Sequence, residues 1–342
     1  MTALSTPTGL APSSTAEARR ATSTNAFRWA LLGAVFVAFE IYLYARFFAH
    51  GPQENTFGRS QAPGWMVTAM WIHVALGVVL IVAMVNHFIV KPWRVEHRLT
   101  SDGMLMLGCL TCFWGDLAGN YWHYQVVYPT VWPNLGGWYG FIPGWHGAVG
   151  NLQAEATVFF LPAYAIVMFG FTSIANAAMR KAQARRPTIG KVGLFLIAWL
   201  VLGGLDLALE VPWAHVGLFV YPSTISWLTL FHGHYYQFPI YESVLWGAAW
   251  AFLACMRFFK DDRGLTVVER GAERVAKTSR GQLAVRFLAL AAVANIGLFS
   301  YNVAFGLVGS QSGHWINDVS TRPYMTDGLC AAGVTYTCPT SP

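Results

Sequence analysis

Tyr235–Glu242 reads YYQFPIYE and runs without interruption into Ser243–Phe259, SVLWGAAWAFLACMRFF. The second part is apolar enough to cross a bilayer. It falls slightly short of the roughly 20 residues a helix needs, so the crossing is expected to begin near Pro239. The first part sets a carboxylate, Glu242, at the mouth of that crossing. A charge there is costly unless it has a partner or a task. This junction points to an all-α membrane protein with acidic groups at one end of its bundle.

Six further apolar runs flank it: Trp29–Phe48, Trp65–Val90, Gly103–Trp122, Glu155–Ala177, Val192–Val211 and Ala284–Val308. Each is long enough to span, or nearly so. The 342-residue chain is 55% hydrophobic and 11% charged, against about 25% charged in soluble domains. The expected architecture is a polytopic membrane helix bundle of seven transmembrane helices occupying residues 27–308. Residues 1–26, rich in Ser, Thr and Ala, read as a disordered cytoplasmic tail. Residues 309–342 read as an extracytoplasmic tail. The first run is too long for a signal-peptide core and no small-residue cleavage site follows it.

Lys and Arg placement gives the orientation. Of the 22 basic residues, all but Arg46, Arg59 and Arg322 fall before the first run or in and immediately around the second–third, fourth–fifth and sixth–seventh connections. That asymmetry predicts seven spans in the cell membrane with the N-terminus cytoplasmic and the C-terminus outside. The net charge of +6 is thereby explained by loops on one face, and no nucleic-acid partner is implied. Cys109, Cys112 and Cys255 lie within runs and read as small core residues. Cys330 and Cys338 fall in the outer tail, where a small disulfide loop is an expectation.

The outer loops are unlike the inner ones. Tyr121–Gln153 has no Lys or Arg but holds Trp122, Trp132, Trp138 and Trp145, and Pro212–Ile240 is similarly aromatic and uncharged. An interfacial aromatic belt accounts for a few rings per helix end. Two long apolar loops are expected instead to fold over the bundle as a lid. The inner connection Lys260–Arg280 is mixed in charge, and reads either as an amphipathic surface helix or as a solvated loop helix. Gly203 and Gly204, and Gly306 and Gly309, suit close helix packing.

Six of the sixteen acidic residues are placed against expectation for a membrane protein: Glu40, Asp116, Glu155, Asp206, Glu210 and Glu242. With the third span read as a continuous helix from Asp102, Asp116 lies about 21 Å along it. Asn120 and His123 would follow at successive turns of one face. Asp206 and Glu210 are one turn apart in the outer half of the fifth span, and Glu155 and Glu242 sit at outer mouths. All six thus fall on one side of the bilayer. Carboxyl groups gathered in apolar surroundings can divide acid and base roles, which makes Asp116, Asp206, Glu210 and Glu242 the candidate catalytic residues. The competing reading is that each carboxylate only joins neighbouring helices by hydrogen bonds. Asn120, His123, Trp145, Glu155, His234, Tyr236 and Gln237 are candidate substrate contacts. A metal would draw on His232, His234 and Glu242, but no Glu-x-x-His pair of the di-iron kind occurs. There is no Walker loop, Rossmann glycine pattern, nucleophile elbow or haem-attachment motif, so no cofactor is expected. The implied partners are a lipophilic small-molecule substrate and membrane lipids.

Several strings carry a resemblance: Asp102-Gly103, Asp116–Tyr121 (DLAGNY), Gly137–Asn151 (GWYGFIPGWHGAVGN), the Asp206–Glu210 pair and Tyr236–Glu242 (YQFPIYE). Together they resemble the AveC-type spirocyclase family of polytopic membrane proteins. The resemblance implies a cyclase that closes a dihydroxy-ketone polyketide into a spiroketal, with or without dehydration and without a redox cofactor. Two other functions stay open on the residues alone. One is a metal-dependent lipid-modifying enzyme; the other is a non-enzymatic subunit or transporter of a lipophilic molecule. No internal repeat of the transporter kind is visible.

Overall fold

The computed structural model describes residues 13–54, 62–145, 153, 155–326 and 329, with side chains from Asn25 onward. Cys330 and Cys338, and the disulfide expected of them, lie outside the described residues.

Among the described residues, five helical stretches are long and apolar enough to cross a membrane: Asn25–His50, Gly64–Glu96, Thr157–Arg185, Lys191–His215 and Ser279–Gly309. They correspond to the first, second, fourth, fifth and seventh apolar runs. The first belongs to α1 (Ser13–His50), which begins inside the segment read as a disordered tail. Ala, Glu and Arg in that segment are good helix formers, so the chain enters its first apolar run already helical. The second comprises α2 (Gly64–Val85), a π-helical turn (Asn86–Val90) and α3 (Lys91–Glu96). The fourth run comprises α5 (Thr157–Ala163), a π-helical stretch (Tyr164–Gly170) and α6 (Phe171–Arg185). Pro162 lies in α5 directly before the change of register; a proline has no N–H to continue the ladder. The fifth run is α7 (Lys191–His215). The sixth is α8, which starts at Ile240, directly after Pro239, and ends at Phe258.

The third run departs from a continuous helix. Its α-helical part, α4, covers only Ser101–Leu110 and gives way to two 3-10 turns, Phe113–Gly115 and Ala118–Tyr121. Gly108, Gly115, Gly119 and the backbone-competing Asp116 and Asn120 weaken helix there. At membrane depth an unwound backbone needs partners from the protein. The seventh run, α10 (Ser279–Gly309), supplies them. Asn302 Nδ2 donates to the Gly115 carbonyl (2.8 Å). Asn295 Nδ2 donates to Thr111 Oγ1 (2.9 Å), and its Oδ1 accepts from Trp114 Nε1 (2.8 Å). Trp138 Nε1 reaches the Trp114 carbonyl (2.8 Å).

The connection Lys260–Arg280 is neither a surface amphipathic helix nor a solvated one. Its only helical turn, among the described residues, is α9 (Ala272–Val275). Thr266, Val268, Glu269 and Ala272 are buried. The pin is Glu269, whose carboxylate accepts from Ser101 Oγ, from Thr266 N and Oγ1, and from Arg286 Nε, each at 2.9 Å. Beside it the buried Arg257 pairs with Asp102 (3.1 Å) and donates to Thr172 Oγ1 (2.6 Å) and Ser173 Oγ (2.8 Å). Its guanidinium lies over the Phe169 ring at 4.0 Å. The basic residues of this end therefore close the bundle by named pairs.

At the opposite end the aromatic loops are packed. Trp132, Trp138 and Tyr139 are buried, as are Leu218, Phe219, Val220 and Tyr221. The two loops join through an antiparallel bridge between Val127 and Val220 and through Trp132 Nε1 to the Leu218 carbonyl (2.6 Å). A short hairpin, β1 (Thr229–Leu230) with β2 (Phe238–Pro239), delivers the chain into α8. The segment after α10 is folded onto the same end. Trp315, Val319, Tyr324 and Met325 are buried with Met66 and Tyr124, and Thr130 N donates to the Tyr324 carbonyl (2.8 Å).

Candidate active site

Two helices build the first half of the site. In α7, Asp206 is fully buried and Glu210 follows one turn later. In the first turn of α8 stand Glu242 and Ser243. The helices come together where neither has a side chain: a Cβ added at Gly247 would lie 2.7 Å from Gly203 N, and one at Gly203 would lie 3.0 Å from the Ser243 carbonyl. That approach lets Ser243 Oγ donate to Asp206 Oδ2 (2.6 Å). Gly306 and Gly309 instead leave room for loop side chains, the Trp122 ring and the Gln125 amide, whereas nothing lies within 4 Å of a Cβ at Gly204. One oxygen from each of Asp206, Glu210 and Glu242 lies within 4.8 Å of one from each of the others.

The unwound third run builds the second half. Asp116 follows its first 3-10 turn. One carboxylate oxygen accepts from Tyr128 Oη (2.5 Å) and the other from Tyr164 Oη (2.7 Å). Tyr164 opens the π-helical stretch that follows α5. The Glu155 carboxyl group lies within hydrogen-bonding reach of Asp116 and also accepts from Tyr139 Oη.

The halves face each other across a cavity of about 90 Å³. Asp116, Glu210 and Glu242 line it together with the hydroxyl-bearing rings of Tyr128, Tyr164, Tyr221 and Tyr301 and an apolar wall that includes Phe160, Trp213, Trp246 and Phe305. Tyr221 Oη donates to Glu210 (2.9 Å) and Tyr301 Oη to Glu242 (2.8 Å). Among the described residues no Lys, Arg, His or Cys lines it. One water needs roughly 10–15 Å³ of such space and occupies about 30 Å³ in the liquid, so the cavity admits a few waters or the reacting segment of a larger molecule.

The structure thus brings together all four candidate catalytic residues, with Asp206 set behind Glu242. The candidate substrate contacts stand apart from the cavity wall. Glu155 backs Asp116. Asn120 folds its own loop, accepting from Gln125 N (2.9 Å) and donating to the Val126 carbonyl (2.7 Å). His123 meets Ser223 Oγ (2.5 Å); burial pushes its pKa below the ordinary imidazole value. Gln237 ties Gly233 N (3.2 Å) to the Tyr221 carbonyl (2.7 Å), and so holds the ring that serves Glu210. Tyr236 is stacked between His215 and His234, with ring centres 4.2 and 5.0 Å apart. Trp145 packs against Tyr121 and Tyr139. His232 lies in a separate surface groove with Trp227 and His314. The grouping of His232 and His234 with Glu242 does not form: among the described residues the set that could hold a metal is Asp206, Glu210 and Glu242. Glu40 hydrogen-bonds Tyr44 one turn along α1 and does not line the cavity.

The residues that sequence reasoning passed over are the tyrosines that donate to these carboxylates: Tyr128, Tyr139, Tyr164, Tyr221 and Tyr301. Tyr164 and Tyr301 place hydroxyls in apolar helices, a signal parallel to that of the buried acids.

The profile of one family, described as spirocyclase AveC-like, matches residues 96–325. The chain belongs to the AveC-like spirocyclase family. The match spans Asp116, Glu155, Asp206, Glu210 and Glu242 and every tyrosine that donates to them, so the whole carboxylate–tyrosine centre falls within the family region. A spirocyclase role in a membrane-associated protein follows from that membership. No curated protein and no solved structure matches the chain.

Proposed function

We propose that the chain is a multi-pass enzyme of the cell membrane that cyclises, or cyclises and dehydrates, a lipophilic polyketide- or lipid-like substrate by carboxylate acid–base chemistry. α4 with its 3-10 continuation and α8 would complete a seven-span bundle, N-terminus cytoplasmic and C-terminus outside, with the packed aromatic loops as its outer lid. The observation that carries this reading is the cavity itself. Three carboxyl groups from three separate elements meet there, each held by tyrosine hydroxyls, with no cationic side chain in the wall among the described residues.

Spiroketal closure asks for such groups. A substrate hydroxyl attacks the ketone carbon; its proton passes to a carboxylate while the carbonyl oxygen takes one from a carboxyl group. A second hydroxyl then closes the other ring, and the former carbonyl oxygen departs as water after protonation. The substrate is unchanged in oxidation state throughout. Asp116, paired with Glu155, and Glu242, paired with Asp206, face each other across the space where that carbon would lie, so acid and base can act from opposite sides. The apolar wall excludes water and so favours closure over hydrolysis.

The test is turnover of a lipophilic dihydroxy ketone by the purified protein in lipid. Asp116→Asn and Glu242→Gln are expected to lower kcat by 100-fold or more, the usual contribution of general acid–base groups being about 10²–10⁴. Full activity in both variants, each shown to be folded, would refute the reading.

A further inference from the structure

We infer that Asp206, Glu210 and Glu242 form a site for one divalent, oxygen-preferring cation of the Mn²⁺ or Mg²⁺ class. Occupancy of this site does not depend on the cyclase reading.

The carboxylates are arranged like ligands. Each is oriented by one hydroxyl on one oxygen: Ser243 on Asp206, Tyr221 on Glu210 and Tyr301 on Glu242. Metal-binding carboxylates are fixed by outer hydrogen bonds of this kind. Among the described residues no hydroxyl, amide or basic group reaches the remaining oxygens of the two buried members, Asp206 Oδ1 and Glu242 Oε2; the two carboxyl groups lie within hydrogen-bonding reach of each other. Asp206 is 0% and Glu242 1% exposed, so solvent does not satisfy them. Two buried carboxyl groups that face each other need a shared proton or a cation between them, because an unpaired buried acceptor is costly and more so when charged. Among the described residues no basic side chain lines the cavity to offset the charge.

The spacing and chemistry fit a hard cation. Ligand oxygens within 4.8 Å of one another can close around one ion, because opposite ligands at bond lengths of about 2.1–2.5 Å stand about 4.2–5 Å apart. An all-oxygen set favours Mg²⁺, Mn²⁺ or Ca²⁺ over the soft metals that seek thiolate. Three protein ligands leave coordination positions open. Because Glu210 and Glu242 line the cavity, those positions face the space where substrate oxygens would bind. The competing state is a proton-only trio, in which Asp206 and Glu242 share hydrogen-bonding protons.

The full chain in lipid nanodiscs, stripped with a chelator and titrated with MnCl₂, decides between them. The electron paramagnetic resonance signal of free Mn²⁺ reports binding without any substrate. Wild type is expected to take up one Mn²⁺ per chain, displaced by Mg²⁺. Asp206→Asn and Glu242→Gln should abolish uptake, and Asp116→Asn, across the cavity, should keep it. Ser243→Ala removes only the orienting hydroxyl and should weaken binding about ten-fold, the low end for loss of an outer hydrogen bond. It remains decisive if the carboxylate variants do not fold. Absence of stoichiometric uptake by wild type, or uptake unaffected by both Asp206→Asn and Ser243→Ala, overturns the inference and leaves a proton-only trio. Acid–base turnover can survive that outcome, and Mn²⁺ uptake can survive failure of the turnover test, so the two are separable.

Discussion

Gly247→Ala tests how the carboxylates are brought together. The new Cβ would stand 2.7 Å from Gly203 N, 2.9 Å from Gly203 Cα and 3.1 Å from Trp199 Cδ1. Optimal carbon contacts begin near 3.5 Å, so α7 and α8 must part by roughly 0.6–0.8 Å. The Ser243–Asp206 bond, 2.6 Å long and one turn away, would lengthen to roughly 3.3 Å, near the limit of a useful hydrogen bond. Overpacking of this kind costs about 1–3 kcal/mol; the helix preference of Ala over Gly returns up to about 1 kcal/mol. The expected net effect is a loss of up to about 2 kcal/mol. It should appear as a lower temperature of half-inactivation in detergent, together with reduced turnover. Gly204→Ala is the control, because nothing lies within 4 Å of its Cβ; the same propensity gain should leave it as stable as wild type or more so. If Gly247→Ala matches Gly204→Ala in both stability and turnover, the close approach does not set the site.

Other expectations follow from single contacts. Asn302→Leu strands the Gly115 carbonyl in the unwound third run and should destabilise by about 1–3 kcal/mol, read from thermal inactivation; wild-type stability would mean that another group satisfies the carbonyl. Tyr301→Phe removes the hydroxyl donated to Glu242 and should lower kcat more than it changes KM; unchanged kcat would place Glu242 outside the chemistry. At the basic end, burial alone would raise the Asp102 pKa, but Arg257 and Lys260 hold it below its ordinary value of 3.8. A group depressed on folding stabilises above its unfolded pKa and loses that contribution as pH falls through the folded value. Acidification below about pH 4 should therefore loosen this end, and Asp102→Asn should be less stable at neutral pH with a flatter acid limb. An acid profile identical to that of wild type would refute the pairing.

Six of the seven apolar runs were legible as helices, five of them long and apolar enough to cross a membrane, because length and hydropathy suffice for a helix whose backbone is satisfied within itself. The third was not, although its composition is equally apolar. Whether it unwinds depends on Asn295 and Asn302, nearly two hundred residues away, which offer the freed backbone and ring N–H groups an alternative. The gathering of Asp116, Asp206, Glu210 and Glu242 was legible, because intramembrane acids are few and their depths can be counted. The loop candidates were not: Asn120, His123 and Gln237 have side chains suited to substrate, but folding a long loop without regular ladders consumes such groups on its own backbone. The tyrosines escaped notice for the opposite reason, since a ring near a helix end suits the interface as well as a site.

The unwinding itself is what gives Asp116 its place. In a continuous helix Asp116 would share one face with Asn120, and its carboxylate would point along a fixed radius of the third span. Released after Leu110, the chain carries Asp116 to where Tyr128, from the loop just beyond, and Tyr164, from the π-helical stretch, reach it from two directions. The break in the third run and the altered register of the fourth therefore meet at one carboxylate. Both are local departures from ideal helix, and both face the only cavity, among those described, that combines several acids with an apolar wall. Regular α7 and α8 supply the opposing acids at fixed spacing, so one half of the site is set by helix geometry and the other by side-chain bonds to unwound backbone.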